Sequence, residues 1–171
     1  MKFSSVKTVD ELTPAIGSLD DASKEVRRIA HNMMPEVLMN YGLESALRDF
    51  VESVNQNSSL DFDLQLSNLK AFDQTQELMI YRIVQELINN VVKHANAKSV
   101  LIQLMQADDT LSITVEDDGC GFNVDLAMKK SGLGMSNLKA RVEYLGGTLN
   151  IDSSENSGTS VFIEVPLNEQ V

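Results

Sequence analysis

The sequence is poor in three things that whole classes of function require. It has one cysteine, Cys120, which excludes an intramolecular disulfide and a cysteine-rich zinc site and fits a reducing compartment. It has few basic residues, 14 Lys and Arg against 25 Asp and Glu for a net charge of −11. With no basic stripe to neutralise a phosphate backbone, nucleic-acid binding is not expected. No apolar run approaches the ~18 to 20 residues that span a bilayer, and Met1-Lys2-Phe3-Ser4-Ser5 lacks the apolar stretch of a signal peptide. A cytoplasmic chain without membrane contact is expected. There is no internal repeat. What remains, 171 residues of which 43% are hydrophobic, suffices for one substantial core and a smaller appendage.

The appendage comes first. Leu12, Leu19, Val26 and Met33 recur every seven residues, with Val9, Ile16, Ser23 and Ala30 as a second heptad line. This pattern predicts a helix, surest from Pro14 onward, that either lies on its own domain or supplies half of a dimerising bundle. Pro35 should stop it after Met33-Met34, and Asn40-Tyr41-Gly42 reads as a connection. The expected boundary separates residues 1–39, a helical bundle segment, from a domain at 40–171.

Within the second part, Leu43 to Val54 reads as a short amphipathic helix, and Leu60 to Leu66 alternates with the period of a half-buried strand. Asp73 or Thr75 can cap a long helix reaching about Ala95. Strands are predicted at Val100 to Gln106 and Leu111 to Glu116, around a turn at Asp108-Asp109. Phe122 to Ser131 reads as a loop, Ser136 to Tyr144 as a helix ending at Gly146-Gly147, and Thr148 to Asp152 and Thr159 to Val165 as a closing pair of strands. Helices with mostly antiparallel, one-sided strands imply an α/β (α+β) class and a two-layer α/β sandwich.

Three short segments carry possible chemistry. Glu86, Asn90, Lys93 and His94 fall at i, i+4, i+7 and i+8 of the long helix, either as a solvated face or as a carboxylate and an amide beside a phosphate-bound Mg²⁺. Asp117-Asp118-Gly119-Cys120-Gly121-Phe122 ends a strand. It is an acidic turn, or a place where a flat ligand passes close to glycine backbone while Asp117 accepts from an exocyclic amine. Gly132-Leu133-Gly134-Met135 leads into the helix at Ser136, as a flexible lead-in or as N–H groups facing phosphate oxygens. Neither the Walker A pattern nor a dinucleotide fingerprint is present. Cys120 reads as a small space-filler, since no second cysteine or evident base accompanies it.

In order, Gln85-Glu86-Leu87-Ile88-Asn89-Asn90-Val91-Val92-Lys93-His94-Ala95, Asp117 to Phe122, Gly132 to Met135 and Gly158-Thr159 resemble the catalytic ATP-binding domain of sensor histidine kinases. The likeness spans about residues 18 to 167. It is to the N, G1 and G2 boxes of the gyrase, chaperone, histidine kinase and mismatch-repair ATPases, in the subfamily whose response regulators carry helix-turn-helix outputs. The resemblance implies that Glu86 polarises the nucleophile, Asn90 holds Mg²⁺, Lys93 and His94 lie near the phosphates and Asp117 reads adenine. It also implies that Gly119 and Gly121 shape the adenine pocket, Gly132 and Gly134 hinge the ATP lid, Leu133 and Met135 are among the ATP-binding residues, and Thr159 supports the water network around Asp117.

Glu25 to Pro35 with Gly42-Leu43 looks like the second helix of the dimerisation and phosphotransfer bundle and its link to the ATPase. The expectation is therefore a chain that binds Mg·ATP, self-associates through the N-terminal helix and serves a response regulator. The accepting histidine belongs to a first helix not expected in this sequence, so autophosphorylation should fail. His31, followed by Asn32, is a bundle or interface residue on this reading. An anchor of the parent in the bacterial inner membrane would lie outside the chain. Two rivals stay open: a serine kinase of the anti-sigma type on the same fold, and a catalytically silent module that dimerises and senses nucleotide.

Overall fold

The computed structural model describes residues 36–129 and 133–167. The heptad segment, His31 and Gly132 lie outside them. From Val37 onward the described residues belong to one compact unit.

Helix α1 runs Glu36–Asn57 but is broken at Gly42, whose φ of 77° and ψ of 178° are non-helical. The positive φ suits a residue without Cβ. The expected connection at Asn40-Tyr41-Gly42 is thus a break within a helical run. Leu43 restarts the helix, its N–H donating to Glu77 Oε1 at 3.3 Å. Strand β1 (Asp61–Ser67) follows, then α2 (Gln74–Asn90), which continues as a π-helical turn over Val91–Ala95. Of the two cap candidates the fold uses Asp73, whose carboxylate accepts from Thr75 and Gln76 N–H while the Gln76 side chain accepts from Asp73 N–H. This reciprocal capping satisfies donors that an open helix end leaves unpaired.

Strands β2 (Ser99–Ala107) and β3 (Thr110–Asp117) form the expected hairpin, with Asp108 at φ 50° in its turn. Helices α3 (Val124–Lys129) and α4 (Leu133–Tyr144) and strands β4 (Thr148–Ser153) and β5 (Thr159–Pro166) complete the unit. The sheet order is β1-β2-β3-β5-β4. β1 pairs parallel to β2 and every other pairing is antiparallel. The parallel pair requires the crossover that α2 supplies.

Two expectations are corrected. The stretch from Phe122 to Ser131 contains helix α3 rather than loop alone, started by the Asn123 side chain, which accepts from Leu126 N–H at 3.0 Å. Helix α4 begins at Leu133 instead of Ser136, so Gly134 and Met135 lie in its first turn and do not precede it.

Alternate residues of β2, β3 and β5 are buried, among them Ile102, Leu104, Leu111, Ile113 and Ile163. They pack with Leu47 of α1, Ile80, Ile83, Val84 and Ile88 of α2 and Leu138 of α4 in one core. Their neighbours Gln103, Thr114 and Phe162 occupy the other face and remain at least partly exposed. The result is a two-layer α/β sandwich with one open sheet face. At the β1 edge the Asn55 side chain accepts from Phe62 N–H at 2.9 Å and donates to its C=O at 3.0 Å, satisfying edge groups that could otherwise pair with another chain.

Candidate functional site

The C-terminal ends of α2 and β3 and the start of α4 enclose a cavity of about 430 Å³. Its walls are mainly apolar, with Leu87 and Val91 from α2 and the π turn, Val115 from β3, Leu138 from α4, and Ile151 and Val161 from β4 and β5. The volume falls in the range of small-molecule pockets, about 300–1,000 Å³.

Asp117 is the acid that lines it. One carboxylate oxygen accepts from Gly119 N–H at 2.9 Å, and Thr159 is its cross-strand neighbour. Burial pushes the Asp117 carboxyl above its ordinary range; the Gly119 and Thr159 hydrogen bonds oppose that rise, and the adjacent Asp118 charge adds to it. Asp118 has the opposite task. Its Oδ1 accepts from the N–H groups of Lys98 and Ser99 at 2.7 and 3.0 Å, fixing the start of β2. Hydrogen bonds from Ser99 and then Lys98 hold it below the usual carboxylate range. Asp117 ends β3 and Asp118 follows it, and the pair has one carboxylate for the cavity and one for the scaffold.

Glycine is required beside Asp117 by close backbone approach. A Cβ on Gly119 would collide with the Ala95 carbonyl and lie 2.7 Å from Asp117 Oδ1. The Ala95 carbonyl also accepts from Cys120 N–H at 2.7 Å, tying the π turn to this loop. Gly121 has φ +58° and its backbone packs on the Ser154 and Gly158 carbonyls. Gly158 N–H donates to the Gly119 carbonyl at 3.0 Å. The floor of the cavity is therefore a backbone-to-backbone seam.

Sequence reasoning missed Ser153, the organiser of that seam. Its hydroxyl donates to the Gly158 carbonyl at 2.8 Å, accepts from Phe122 N–H at 2.9 Å, and lies 3.2 Å from the Thr159 hydroxyl. The available signal was its place at the end of β4 opposite Thr159.

On α2, Asn90 is half-buried and lines the cavity, as does His94 of the π turn. Lys93 is exposed and does not line it. The regular spacing behind a common side for these residues ends at Asn90, because a π turn widens the helix and shifts the residues after it. Glu86 stands at the mouth: a Cβ on Gly134 would collide with Glu86 Oε1 and lie 3.9 Å from Asn90 Oδ1. The first turn of α4, with Gly134 and Met135, thus sits against the polar end of α2. Cys120 also lines the cavity, its thiol donating to the His94 carbonyl at 3.4 Å. Among the described residues no three His, Cys, Asp or Glu side chains cluster as a metal cage, and no helix is long and apolar enough to cross a membrane.

Residues 75–169 match the model of a family described as histidine kinase-, DNA gyrase B-, and HSP90-like ATPase. The chain is 33% identical over 162 residues to the sensor histidine kinase ComP of Bacillus subtilis, covering 92% of this chain and 21% of that protein. It is 32% identical over 146 residues to the oxygen sensor histidine kinase NreB of Staphylococcus carnosus, covering 85% and 42%. It therefore spans less than half the length of either relative. Among solved structures, the histidine kinase domain of a blue-light activated histidine kinase from Erythrobacter litoralis superposes with a TM-score of 0.61 at 25% identity, over 75% of this chain and 62% of that one.

Proposed function

The chain belongs to the histidine kinase-, DNA gyrase B-, and HSP90-like ATPase family, and from that premise we propose that it binds Mg·ATP and presents the γ-phosphate to a histidine of a sensor kinase for relay to a response regulator. The observation that carries the reading is Asp117, a half-buried carboxylate at the base of an apolar cavity, held by Gly119 N–H and Thr159. A purine ring fits such walls, and its exocyclic amine needs one acceptor inside them. Gly119 and Gly121 let the turn after Asp117 close on the Ala95, Ser154 and Gly158 carbonyls, which would shape the wall that a flat ring meets.

At the other end, Asn90 would give an amide oxygen to Mg²⁺, with nucleotide phosphates and water supplying the remaining ligands, as this ion prefers over an all-protein cage. Bound there, the ion would neutralise charge on the transferring phosphoryl group. Glu86, at the mouth beside Gly134, would orient and polarise an incoming imidazole. Lys93 and His94 would add positive or hydrogen-bonding groups toward the phosphates, Gly132 and Gly134 would hinge the lid, and Leu133 and Met135 would contact the nucleotide. Residues 40–171 are on this reading the ATP-binding domain, and residues 1–39 a helix of the dimerising bundle.

The test is a calorimetric titration of the chain with a non-hydrolysable ATP analogue, with and without Mg²⁺, beside Asp117→Asn and Asn90→Ala. Binding that is lost in the first variant and loses its Mg²⁺ sensitivity in the second is expected. Absence of binding by the unaltered chain overturns the reading.

A further inference from the structure

We propose that the open face of the sheet is a docking surface for a basic amphipathic helix of a partner protein. The proposal is independent of the nucleotide reading. The strand residues that line the cavity, among them Val115, Ile151 and Val161, alternate with those of the open face and point to the other side.

The open face leaves large apolar side chains uncovered. Met105 of β2 is 49% and Phe162 of β5 39% exposed, and Leu101 of β2 is half-buried. By register Gln103 lies opposite Thr114, and Thr114 opposite Phe162. Leu101 and Met105 stand on either side of Gln103, so the three apolar residues surround Thr114. Two strand spacings separate β2 from β5, about 10 Å. An α-helix is itself about 10 Å across. Laid over β3, it would meet Leu101 and Met105 with one flank and Phe162 with the other. That would repeat on this face the helix-on-sheet packing that forms the core on the first.

The charge around the apolar strip selects the helix. None of the five strands contains a lysine or an arginine. The open face carries Asp61, Asp63, Glu116, Asp152 and Glu164, and among the described residues none of them is in an ion pair. Asp63 of β1 lies opposite Leu101, while Glu164 and Asp152 stand on β5 and β4 at the far side. Carboxylates thus border the strip on both flanks. A helix whose apolar stripe runs between rows of Lys or Arg answers the strip and its borders together. The same charge disfavours the other occupants. A second copy would set five carboxylates against five, and nucleic acid or an anionic lipid surface would be repelled. Size agrees with one segment. Five strands at about 4.8 Å, with about seven residues each at about 3.3 Å, make a face of about 500 Å², less than the roughly 800 Å² per partner of a stable interface.

The experiment labels the methionine methyl groups of the full chain with ¹³C and titrates a blocked peptide, Leu-Lys-Lys-Leu-Leu-Lys-Leu repeated three times. A second peptide has serine for every leucine, and a third has glutamate for every lysine. The Met105 methyl is expected to shift with the first peptide, while that of Met39, 58% exposed on α1, stays still. Phe162→Ser should weaken the peptide about tenfold, the worth of an apolar anchor. Asp152→Asn combined with Glu164→Gln should weaken it about fivefold, and more at low salt. Glu44→Gln combined with Glu143→Gln, which removes the same charge from exposed helix positions, should leave it unchanged. No shift, or an equal shift at Met39, overturns the docking face. An equal response to the serine peptide overturns the apolar strip, and one to the glutamate peptide overturns the basic occupant. A Met105 shift on concentrating the chain alone gives the face to a second copy and overturns the partner helix. ATP-analogue binding is expected to be the same in all these variants, and its absence in the unaltered chain sinks the nucleotide reading alone.

Discussion

Asp117 and Thr159 face each other as cross-strand partners at the ends of β3 and β5, and the interaction with Thr159 opposes the rise that burial imposes on the Asp117 pKa. The Thr159 hydroxyl in turn lies 3.2 Å from Ser153 Oγ, which is fixed to the Gly158 carbonyl and Phe122 N–H. A carboxylate in a mainly apolar cavity is thus held by Gly119 N–H and flanked by two hydroxyls anchored in backbone. That preorganisation gives the site its geometry before any ligand arrives, and it carries a stability cost that can be measured.

Asp117→Asn should separate binding from stability. The folded pKa of Asp117 is raised, burial being the largest cause. The stabilising contribution of such a group is complete below its unfolded pKa and is lost as pH rises through its folded pKa. At neutral pH the ionised carboxylate therefore works against folding. Asparagine keeps an oxygen for Gly119 N–H and removes the charge, so the ligand-free variant should melt at or above the unaltered chain at neutral pH, the advantage fading in acid. Affinity for the ATP analogue should meanwhile fall about tenfold or more. Melting curves at neutral and acid pH check the first part; a variant that melts lower at neutral pH contradicts it.

Asp118→Ala should show the opposite pH dependence. Hydrogen bonds from Ser99 and Lys98 hold the Asp118 pKa down, so its contribution is present above the unfolded pKa and disappears as pH falls through the folded one. The unaltered chain should melt above the variant at neutral pH, and the gap should close in acid. A gap that ignores pH would mean the charge is not what secures the start of β2.

Much of this was legible in the sequence because it followed from side-chain periodicity. The alternation of Leu111, Ile113 and Val115, and the cap at Asp73 ahead of a long apolar stripe, depend on local patterns that the fold keeps. What was not legible depended on contacts between distant segments. Nothing in Asp61 to Ser67 says that its partner is parallel, since a half-buried strand has the same period in either orientation. The π turn at Val91–Ala95 is set where the Ala95 carbonyl meets Cys120 N–H, a contact across the fold. Helix α3 is a single short turn-and-a-half whose signal, Asn123 before Val124, is no stronger than that of an ordinary loop. At the site, Asp117 and Asn90 were named from their motifs, whereas Ser153 acts through three groups that sequence alone does not bring together.

Gly119→Ala should be more damaging than the exposure of a turn suggests. The added Cβ meets the Ala95 carbonyl and Asp117 Oδ1, both of them held by other hydrogen bonds, so neither can move cheaply. Overpacking of this kind costs about 1–3 kcal/mol, read as a lower urea midpoint with an unchanged slope. ATP-analogue affinity should drop as well, because the same atom pushes on the Asp117 carboxylate. Gly146→Ala serves as the control: its nearest neighbour is the Pro166 side chain at 3.7 Å, so only the strain of φ +67° is added, far from the cavity. Equal losses of affinity in the two variants would mean that the glycine beside Asp117 has no special place in binding.

Cys120 offers a reporter that needs no engineering. It is an exposed free thiol, it lines the cavity, and its weak bond to the His94 carbonyl at 3.4 Å leaves the sulfur reachable. It is also the sole cysteine of the chain, so every alkylation event reports on this site. A nucleotide filling the cavity would shield it sterically, and the iodoacetamide rate, followed by intact mass, should fall several-fold in saturating ATP analogue. At an analogue concentration near the dissociation constant of the unaltered chain the protection should be much weaker in Asp117→Asn, while the rate without nucleotide stays near that of the unaltered chain. An analogue that binds by calorimetry yet leaves the alkylation rate unchanged would place the nucleotide somewhere other than between α2 and the Asp117 turn.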